Sequence, residues 1–308
     1  MKLSLVIPCR DETDPKLRAL LRSIGEQDFQ KEEVEILVIR EGTSESAKAI
    51  GIRKAVGEVI GILASDNELV HPRFLKDHYE QALMCAAQPT FYHYRFKDNP
   101  LNRYFALMGC NDPLAHYMGK KDKWNYTRHS MFVGTKYMPA GWAGIKDPDR
   151  WGAERTIGDN GYFVTRNLIE KTDLDNYYHI DNANEAGSYM VLTGHEIWHK
   201  TGGNIFKFFA KRYRYGLQHA FNKNRRWHLV DFKDQEDIRR LIWFIVASIT
   251  IVQPLILSCR GYLKIRDRAW FLHPVICLMA TFTYTLLAIR VVIKKSLSLF
   301  VPSIVQRA

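Results

Sequence analysis

Short apolar runs alternate with amphipathic segments over the first 70 residues of the chain. Leu3–Ile7, Val34–Ile39 and Val59–Leu63 are rich in apolar, largely β-branched residues and are short enough to be buried strands. Residues 15–28 place leucine and isoleucine at helical spacing between the first two runs, and residues 46–57 are typical of a second helix. Strands that alternate with helices predict an α/β fold with a parallel sheet and right-handed crossovers.

Charged and amide residues follow each of the three predicted strands. They are Arg10 to Glu12 after the first strand, Arg40 and Glu41 after the second, and Asp66 and Asn67 after the third. In a parallel sheet the carboxyl ends of the strands lie at one edge, where ligands bind. The sequence therefore predicts a polar site at this edge. The aromatic, Gly- and Asn-rich segment 90–180 predicts loops of that site together with two or three further strands.

The region 195–240 is basic and amphipathic. It holds eleven Lys and Arg residues against five acids, and Phe206, Phe209 and Tyr213 recur at helical spacing. Lysines occupy another face of the same predicted helix. This pattern is typical of a helix on an anionic membrane surface. We therefore predict a basic interfacial segment over residues 205–240.

Two long uncharged stretches follow. Leu241–Ser258 has eighteen residues and Ala269–Ile289 has twenty-one. As helices they extend roughly 27 Å and 32 Å, comparable with a hydrocarbon core of about 30 Å. They predict a transmembrane or membrane-embedded two-helix hairpin over residues 241–308, the alternative being a buried core hairpin. The loop between them carries four cations, more than the positive-inside rule favours for a loop on the far side, so a hairpin that enters one leaflet without crossing stays open.

Composition narrows the class of protein. The 308 residues are 46% hydrophobic, which excludes a disordered chain, and 44 Lys and Arg against 33 Asp and Glu give a net charge of +11. The five cysteines are scattered without CxxC spacing, so they predict neither a disulfide framework nor a zinc site and indicate a reducing compartment. No nucleic-acid recognition motif accompanies the positive charge. Anionic lipids are therefore a predicted partner, and nucleic acid is not.

The first third of the chain resembles glycosyltransferase family 2. The segments that carry the resemblance are Ser4–Glu12, Val38–Glu45, Ser46–Gly57 and Leu63–Asn67. In that family one strand ends in Ile-Pro before an Asn-Glu pair, a second in Asp-Asp-Gly-Ser and a third in Asp-x-Asp. The resemblance is clearest over residues 3–70 and weaker to about residue 215. It implies a Rossmann-like GT-A catalytic domain over residues 1–204 and inverting transfer of a sugar from a nucleoside diphosphate sugar.

The resemblance also implies a donor site with Mg²⁺ or Mn²⁺, although two motif carboxylates are replaced. Arg40 stands where the family has the first carboxylate of its second motif, and Ala64 where it has the first aspartate of the third. Asp66 and Asn67 remain as the implied metal ligands, since oxygen ligands hold the hard cation that neutralises a diphosphate. A strand-end turn is the alternative for Asp66. The implied donor-binding residues are Pro8, Arg10, Glu12, Glu41, Lys48, Asp66, Asn67 and His199.

Two further segments imply the acceptor side. Thr156–Arg166 resembles the family's glycine and asparagine segment, and Tyr178–Asn182 stands where the family has its catalytic aspartate. Asp181 is the first choice for the base that takes the proton of an attacking hydroxyl, followed by Asp159 and Glu185. A loop cap is the alternative for Asp181, and a phosphate acceptor would need no base. The implied acceptor- or phosphate-binding residues are Asn160, Lys211, Arg212 and Arg214.

These expectations predict an inverting glycosyltransferase at the cytoplasmic face of the cell membrane. Its acceptor is expected to be a polyprenyl phosphate or a lipid-linked saccharide in cell-envelope glycan synthesis, and homo-oligomer formation is left open. The two replaced carboxylates keep a second hypothesis, an inactive family member that acts as a membrane scaffold. A third is a membrane zinc peptidase, because His195-Glu196-Ile197-Trp198-His199 matches the His-Glu-x-x-His pattern.

Overall fold

The computed structural model describes residues 1–121, 123–127, 136–139, 160–170, 174, 189–220 and 229–300. The strands are β1 (Leu3–Pro8), β2 (Val34–Ile39), β3 (Val59–Leu63), β4 (Asn67–Leu69), β5 (Ala86–Gln88), β6 (Phe91–Tyr92), β7 (Lys136–Pro139), β8 (Asn160–Thr165), β9 (Tyr189–Leu192) and β10 (Glu196–His199). The helices are α1 (Pro15–Gly25), α2 (Ser44–Lys54), α3 (Phe74–Ala82), α4 (Pro100–Met108), α5 (Pro113–Tyr117), α6 (Arg166–Ile169), α7 (Ile205–Ala220), α8 (Gln235–Thr250), α9 (Val252–Lys264) and α10 (His273–Phe300).

The first two helices begin where the sequence supplies caps. The Asp14 side chain accepts a hydrogen bond from the backbone N–H of Lys16 at 2.8 Å, and Pro15 occupies the first helical turn, where its missing N–H costs little. Thr43 and Ser46 form a reciprocal capping box at the start of α2. Each helix therefore starts soon after the preceding strand ends, which keeps the loops at the predicted edge short.

A mixed seven-stranded sheet forms the centre, in the order β2-β1-β3-β8-β5-β9-β7. β1 pairs in parallel with both β2 and β3, whereas β8 runs antiparallel to β3 and β5. A smaller sheet has the order β4-β10-β6. The predicted α/β class is confirmed, but the expectation of a parallel sheet holds for the β1-β2-β3 unit and for β5 with β9, and not for β8 and β7.

Buried side chains cover both faces of the central sheet. Leu5 of β1 packs in the same cluster as Leu20 of α1, whereas its neighbour Val6 packs in a separate cluster with Ile52 of α2. Successive residues of a strand point to opposite faces. The mainly apolar sequence of β1 is therefore explained by a strand that is buried on both sides.

A third cluster joins the middle of the chain to the C-terminal helices. It combines Phe105 of α4 with Phe209 of α7, Phe244 of α8 and Ile276 of α10. Phe209 is 6% exposed, whereas Phe206 is 74% exposed. The apolar side chains of α7 are thus divided between protein contacts and an outward face. The predicted boundaries at residues 204 and 240 stay predictions.

The first uncharged stretch does not form one helix. α8 ends at Thr250, and α9 begins at Val252 with its axis turned by 84°. In a continuous helix Pro254 could not donate a hydrogen bond to the Thr250 carbonyl, and its ring would collide with that carbonyl. The chain turns instead at Ile251, which has φ 63°. Among the described residues one stretch, Arg268–Lys294, is long and apolar enough to cross a membrane, or two if α8 and α9 count as one broken span.

Candidate active site

A buried asparagine shapes the turn after β3. Asn67 is fully buried, and its Oδ1 accepts a hydrogen bond from the Ala64 backbone N–H at 2.9 Å. Its Nδ2 donates to Asn160 Oδ1 at 2.8 Å, and Asn160 Nδ2 donates to the Tyr92 hydroxyl at 3.0 Å. These contacts tie β4, β8 and β6 together and fix the turn that carries Asp66. The assignments of Asn67 to a metal and of Asn160 to the acceptor stay predictions.

Asp66 projects from this turn and contacts His199, with 3.2 Å between Oδ1 and Nε2. β10 pairs antiparallel with β4 and thereby places His199 opposite Asn67. The Asp66 side chain is 13% exposed. Burial by itself raises the pKa of Asp66, but His199 and the charges of Lys211 and Lys16 outweigh burial and lower that pKa to about 2. Asp66 is therefore ionised at neutral pH.

Lys16 and Lys211 approach Asp66 from two helices. Lys16, on the first turn of α1, donates from Nζ to the Lys200 carbonyl at 2.5 Å, and the Lys200 backbone N–H donates to the Asp66 carbonyl at 2.8 Å. Lys211, on α7, lies with Nζ 5.5 Å from the centre of the Tyr215 ring. Lys16 is not among the residues selected from the sequence. The signal that would have found it is its place in the helix that directly follows the β1 loop.

Asn111 orients the histidine beside Asp66. Asn111 Nδ2 lies 2.7 Å from His199 Nδ1, so Asn111 contacts the ring nitrogen that does not face Asp66. The Tyr92 ring lies 5.5 Å from the His199 ring, centre to centre. Asn111 Oδ1 is buried and has no hydrogen-bond partner among the residues that the structure describes. His199 thus lies next to Asp66, and Asn111 holds it there; its contact with a donor diphosphate stays a prediction.

Arg212 of α7 is turned toward the interior of the protein. Its NH2 donates to the Asn111 carbonyl at 2.8 Å, and its NH1 lies 3.7 Å from Asp112 Oδ2. Asp112 also accepts a hydrogen bond from the Tyr284 hydroxyl of α10. Burial opposes the charge of Arg212, but Asp112 outweighs it and raises the Arg212 pKa above its ordinary value. Arg212 therefore links α10 to the backbone beside His199, and its binding of a phosphate stays a prediction.

The loops after β1 and β2 meet at the same edge of the sheet. Arg40 Nε lies 3.2 Å from Glu12 Oε1, and Glu41 Oε1 lies 4.0 Å from Lys54 Nζ. Arg10 donates from NH2 to a backbone carbonyl of the β2–α2 loop at 3.5 Å. All five side chains are well exposed, so these contacts contribute little to stability and leave their groups accessible to a ligand.

The remaining predicted donor and phosphate residues differ in exposure. Pro8 is the last residue of β1 and pairs with the end of β2. Lys48 is buried on α2, at 1% exposure. Lys211 and Arg214 are exposed on α7. Of the predicted cations on α7, two are therefore open to a ligand while Arg212 is engaged within the protein.

The predicted catalytic aspartates, Asp181 and Asp159, lie outside the described residues, as does Glu185. The part of the chain that the structure describes holds no group of three or more His, Cys, Asp or Glu suited to a metal ion. Asp66 fits a metal all the same, because Mg²⁺ is commonly held by one or two carboxylates together with substrate phosphates and water. Asn67 fits less well, since its oxygen already accepts a backbone N–H.

The zinc-peptidase hypothesis is wrong, because the histidine pair is not on a helix. His199 ends β10 and His195 directly precedes that strand, so the two lie about 13 Å apart along an extended chain. His195 Nε2 lies 2.7 Å from Asp77 Oδ2, whereas Glu196 accepts from the Tyr126 hydroxyl at 2.7 Å. The residues of the pattern face different partners and cannot share one zinc ion.

No family model matches the chain, and no curated protein does. Among solved structures, residues 1–349 of TarS from S. aureus are 12% identical with a TM-score of 0.42, over 93% of this chain and 90% of that one. The same protein in complex with UDP-GlcNAc is 13% identical with a TM-score of 0.40, over 93% of this chain and 90% of that one. The mannosyltransferase PcManGT from Pyrobaculum calidifontis, in complex with GDP-Man and Mn²⁺, gives 13% and 0.44, over 91% of this chain and 86% of that one.

Proposed function

We propose that the chain is an inverting glycosyltransferase that moves a sugar from a nucleoside diphosphate sugar to a membrane-associated acceptor. The observation that carries the proposal is a nearly buried but ionised carboxylate, Asp66, at the carboxyl edge of the β1-β2-β3 unit. Sheets of this kind bind ligands at that edge. Lys16 and Lys211 bring positive charge to the same place, which suits a ligand that carries a diphosphate.

The described residues of the site have separate roles in binding the donor. Asp66 would hold Mg²⁺ or Mn²⁺, which when bound supplies Lewis-acid neutralisation of the leaving diphosphate. His199 and Asn111 fix the direction of the Asp66 carboxylate. Lys211, exposed on α7, can approach diphosphate oxygens directly. One protein carboxylate is enough for this arrangement, which is compatible with an alanine at position 64.

The acceptor half of the proposal rests on Asp181 and on the C-terminal helices. For a hydroxyl acceptor, Asp181, or else Asp159, would take the proton as the oxygen attacks the anomeric carbon. Tyr284 of α10 reaches the site through Asp112 and Arg212, so an apolar helix adjoins the candidate centre. A polyprenyl phosphate or a lipid-linked saccharide suits that setting, in cell-envelope glycan synthesis at the cytoplasmic face of the membrane.

Metal-dependent turnover of nucleotide sugars tests the donor assignment. We expect Asp66→Asn to lower turnover by about a hundredfold or more, because an amide binds a hard cation far less well than a carboxylate. Asp77→Asn is the matched control, since it changes a second Asp–His contact, the one between Asp77 and His195 just before β10, at 2.7 Å. Asp66→Asn with wild-type turnover, or full wild-type turnover in excess chelator, would overturn the assignment.

A second candidate is an inactive chain that binds a nucleotide sugar without transferring it. It is favoured by Arg40, which forms an ion pair with Glu12 where the family has a carboxylate, and by Ala64. A calorimetric and turnover screen across nucleotide sugars separates the two. Binding without any hydrolysis or transfer, on hydroxyl and phosphate acceptors alike, would favour the inactive chain.

A further inference from the structure

The C-terminal helices carry large apolar side chains on their outer sides. We call six of these the outer apolar surface: Trp243, Ile249, Val252, Leu255, Phe282 and Ile289, each between 47% and 65% exposed. Their inner neighbours Phe244, Ile276 and Ala280 are buried in the cluster shared with α4 and α7. α8 and α10 are therefore apolar on both sides, and only the inner side is covered by described protein.

The inner side of α10 touches the rest of the protein along most of its length. Near its start, His273 Nδ1 lies 2.7 Å from the Tyr104 hydroxyl of α4. Eleven residues later the Tyr284 hydroxyl donates to Asp112, and then Arg290 NH1 donates to the Tyr213 hydroxyl of α7 at 3.4 Å. From the first to the last of these contacts the helix advances about 26 Å. α10 thus lies along the catalytic part and does not project away from it.

This contact pattern conflicts with a membrane-crossing α10, although its length and composition allow one. The Asp112–Arg212 pair touches α10 at Tyr284, inside the uncharged stretch 269–289. A crossing helix would carry that charged pair, and the helices that hold it, into the hydrocarbon. Charged groups at that depth are costly. A helix that lies in the membrane surface keeps the pair on the aqueous side.

The lengths and the bend of α8 and α9 also indicate helices that do not cross the membrane. The two helices have 16 and 13 residues, about 24 Å and 20 Å, so each is shorter than a hydrocarbon core of about 30 Å. Arg239 lies near the start of α8, and Arg260 and Lys264 lie near the end of α9. The bend at Ile251 is apolar and exposed. Cations therefore mark both open ends of the bend, as expected for a loop that enters and leaves by the same face.

We propose that α8, α9 and α10 bind one leaflet of an anionic membrane through the outer apolar surface, without crossing it. The end of α9 and the loop that follows it then lie at the headgroups, on the same side of the membrane as the catalytic part. Their four cations, Arg260, Lys264, Arg266 and Arg268, are then no longer at odds with the positive-inside rule, which disfavours them in a loop on the far side. The occupant of the surface is lipid because exposed cations border it. This inference stands independently of the proposed sugar transfer.

Thiol labelling tests the topology. The full chain is synthesised in a cell-free system with preformed vesicles of phosphatidylcholine and phosphatidylglycerol. The exposed Cys259 and the half-buried Cys85 are both replaced by serine, because the other three cysteines are buried. Arg266→Cys and Ser296→Cys mark the two ends of the long apolar stretch. We expect a membrane-impermeant maleimide to label both without detergent. Protection of Ser296→Cys until detergent is added would show a crossing helix and overturn the proposal.

Vesicle flotation tests the occupant. Trp243→Glu should weaken binding at least tenfold. The control Met84→Glu, which changes a side chain of 64% exposure two residues after the end of α3, should not. Arg266→Gln with Arg268→Gln should weaken binding to mixed vesicles by about 30-fold, from about 1 kcal/mol per cation, and should not weaken binding to phosphatidylcholine alone. A soluble dimer that buries Trp243 and ignores vesicles would overturn the proposal in favour of a second copy.

Discussion

Lowering the pH should reduce the free energy of unfolding of this protein by a defined amount, because Asp66 becomes protonated. The pKa of Asp66 is about 2, against an ordinary 3.8, so the folded chain holds the carboxylate ionised more strongly than the unfolded chain does. That difference corresponds to about 2 kcal/mol at about 1.4 kcal/mol per pH unit. Because the folded-state pKa is the lower one, this stability is fully present above about pH 4. It is lost as the pH falls toward 2.

Urea unfolding of the full chain in detergent, followed by tryptophan fluorescence, measures this amount. The quantity of interest is the difference in unfolding free energy between the wild type and Asp66→Asn. We expect that difference to shrink by about 1 kcal/mol between pH 7 and pH 3 and by about 2 kcal/mol by pH 2. His199→Gln should reduce the pH-dependent part, since His199 is the strongest of the groups that lower the Asp66 pKa.

Glu12→Gln is the control, because Glu12 forms an ion pair with Arg40 in which both side chains are more than half exposed. Exposed pairs contribute about 0–1 kcal/mol, so this variant should show little change in its difference from the wild type across the same pH range. The reasoning is refuted if Asp66→Asn and Glu12→Gln show the same pH dependence. It is equally refuted if the Asp66→Asn difference grows as the pH falls.

Three further substitutions give separate expectations. Asn67→Ala should cost about 2–4 kcal/mol in urea unfolding, because two buried hydrogen bonds lose their partner; a cost below about 0.5 kcal/mol would contradict the described turn. Gly109→Ala should lower the free energy of unfolding by about 1–3 kcal/mol, because Gly109 has φ 70° and a Cβ there would overlap the Trp124 carbonyl. In the control Gly25→Ala the added Cβ meets open space, so the free energy of unfolding should stay the same or rise. Asp181→Asn should slow single-turnover transfer to hydroxyl acceptors by about 10²–10⁴-fold with donor binding unchanged, and have a small effect on phosphate acceptors; equal activity on every acceptor would remove Asp181 from the mechanism.

The part of the fold that could be predicted is the part with local signals. β1 and β3 are nearly continuous apolar runs because they are buried on both faces, whereas β2 is the edge strand, with Glu35 inside its run and Ile36 41% exposed. The polar residues that follow the three strands meet at one edge, as parallel strands require. β8 could not be predicted between β3 and β5, because its pairing joins residues about a hundred positions apart. No short sequence pattern records such a partner.

The site shows the same limit. The family resemblance names Asp66 and His199 as donor-binding residues, which stays a prediction, and the contact between them depends on the pairing of β10 with β4. Asn111 reaches His199 from 88 positions away, and Asn-Asp-Pro at that point indicates only a helix start. Arg212 lies between the exposed Lys211 and Arg214 on α7, and its local sequence does not distinguish it from them. It points inward because it contacts the carboxylate of Asp112, which is distant in the sequence. Direction of a side chain is decided by such tertiary partners.

The proposed membrane binding and the proposed sugar transfer would depend on shared structural parts of this chain, which limits how the two can be tested separately. Removal of α10 would take Tyr284 from Asp112 and uncover the buried cluster of α4 and α7. A truncated chain would therefore lose membrane binding and disturb the backbone beside His199 at once, and it could not assign either effect. Trp243→Glu changes an outward side chain with no described role in the site. We expect it to lose vesicle binding while keeping the turnover of a nucleotide sugar with a short, water-soluble acceptor within about twofold of wild type. A parallel loss of both activities would mean that the outer apolar surface is part of the catalytic structure.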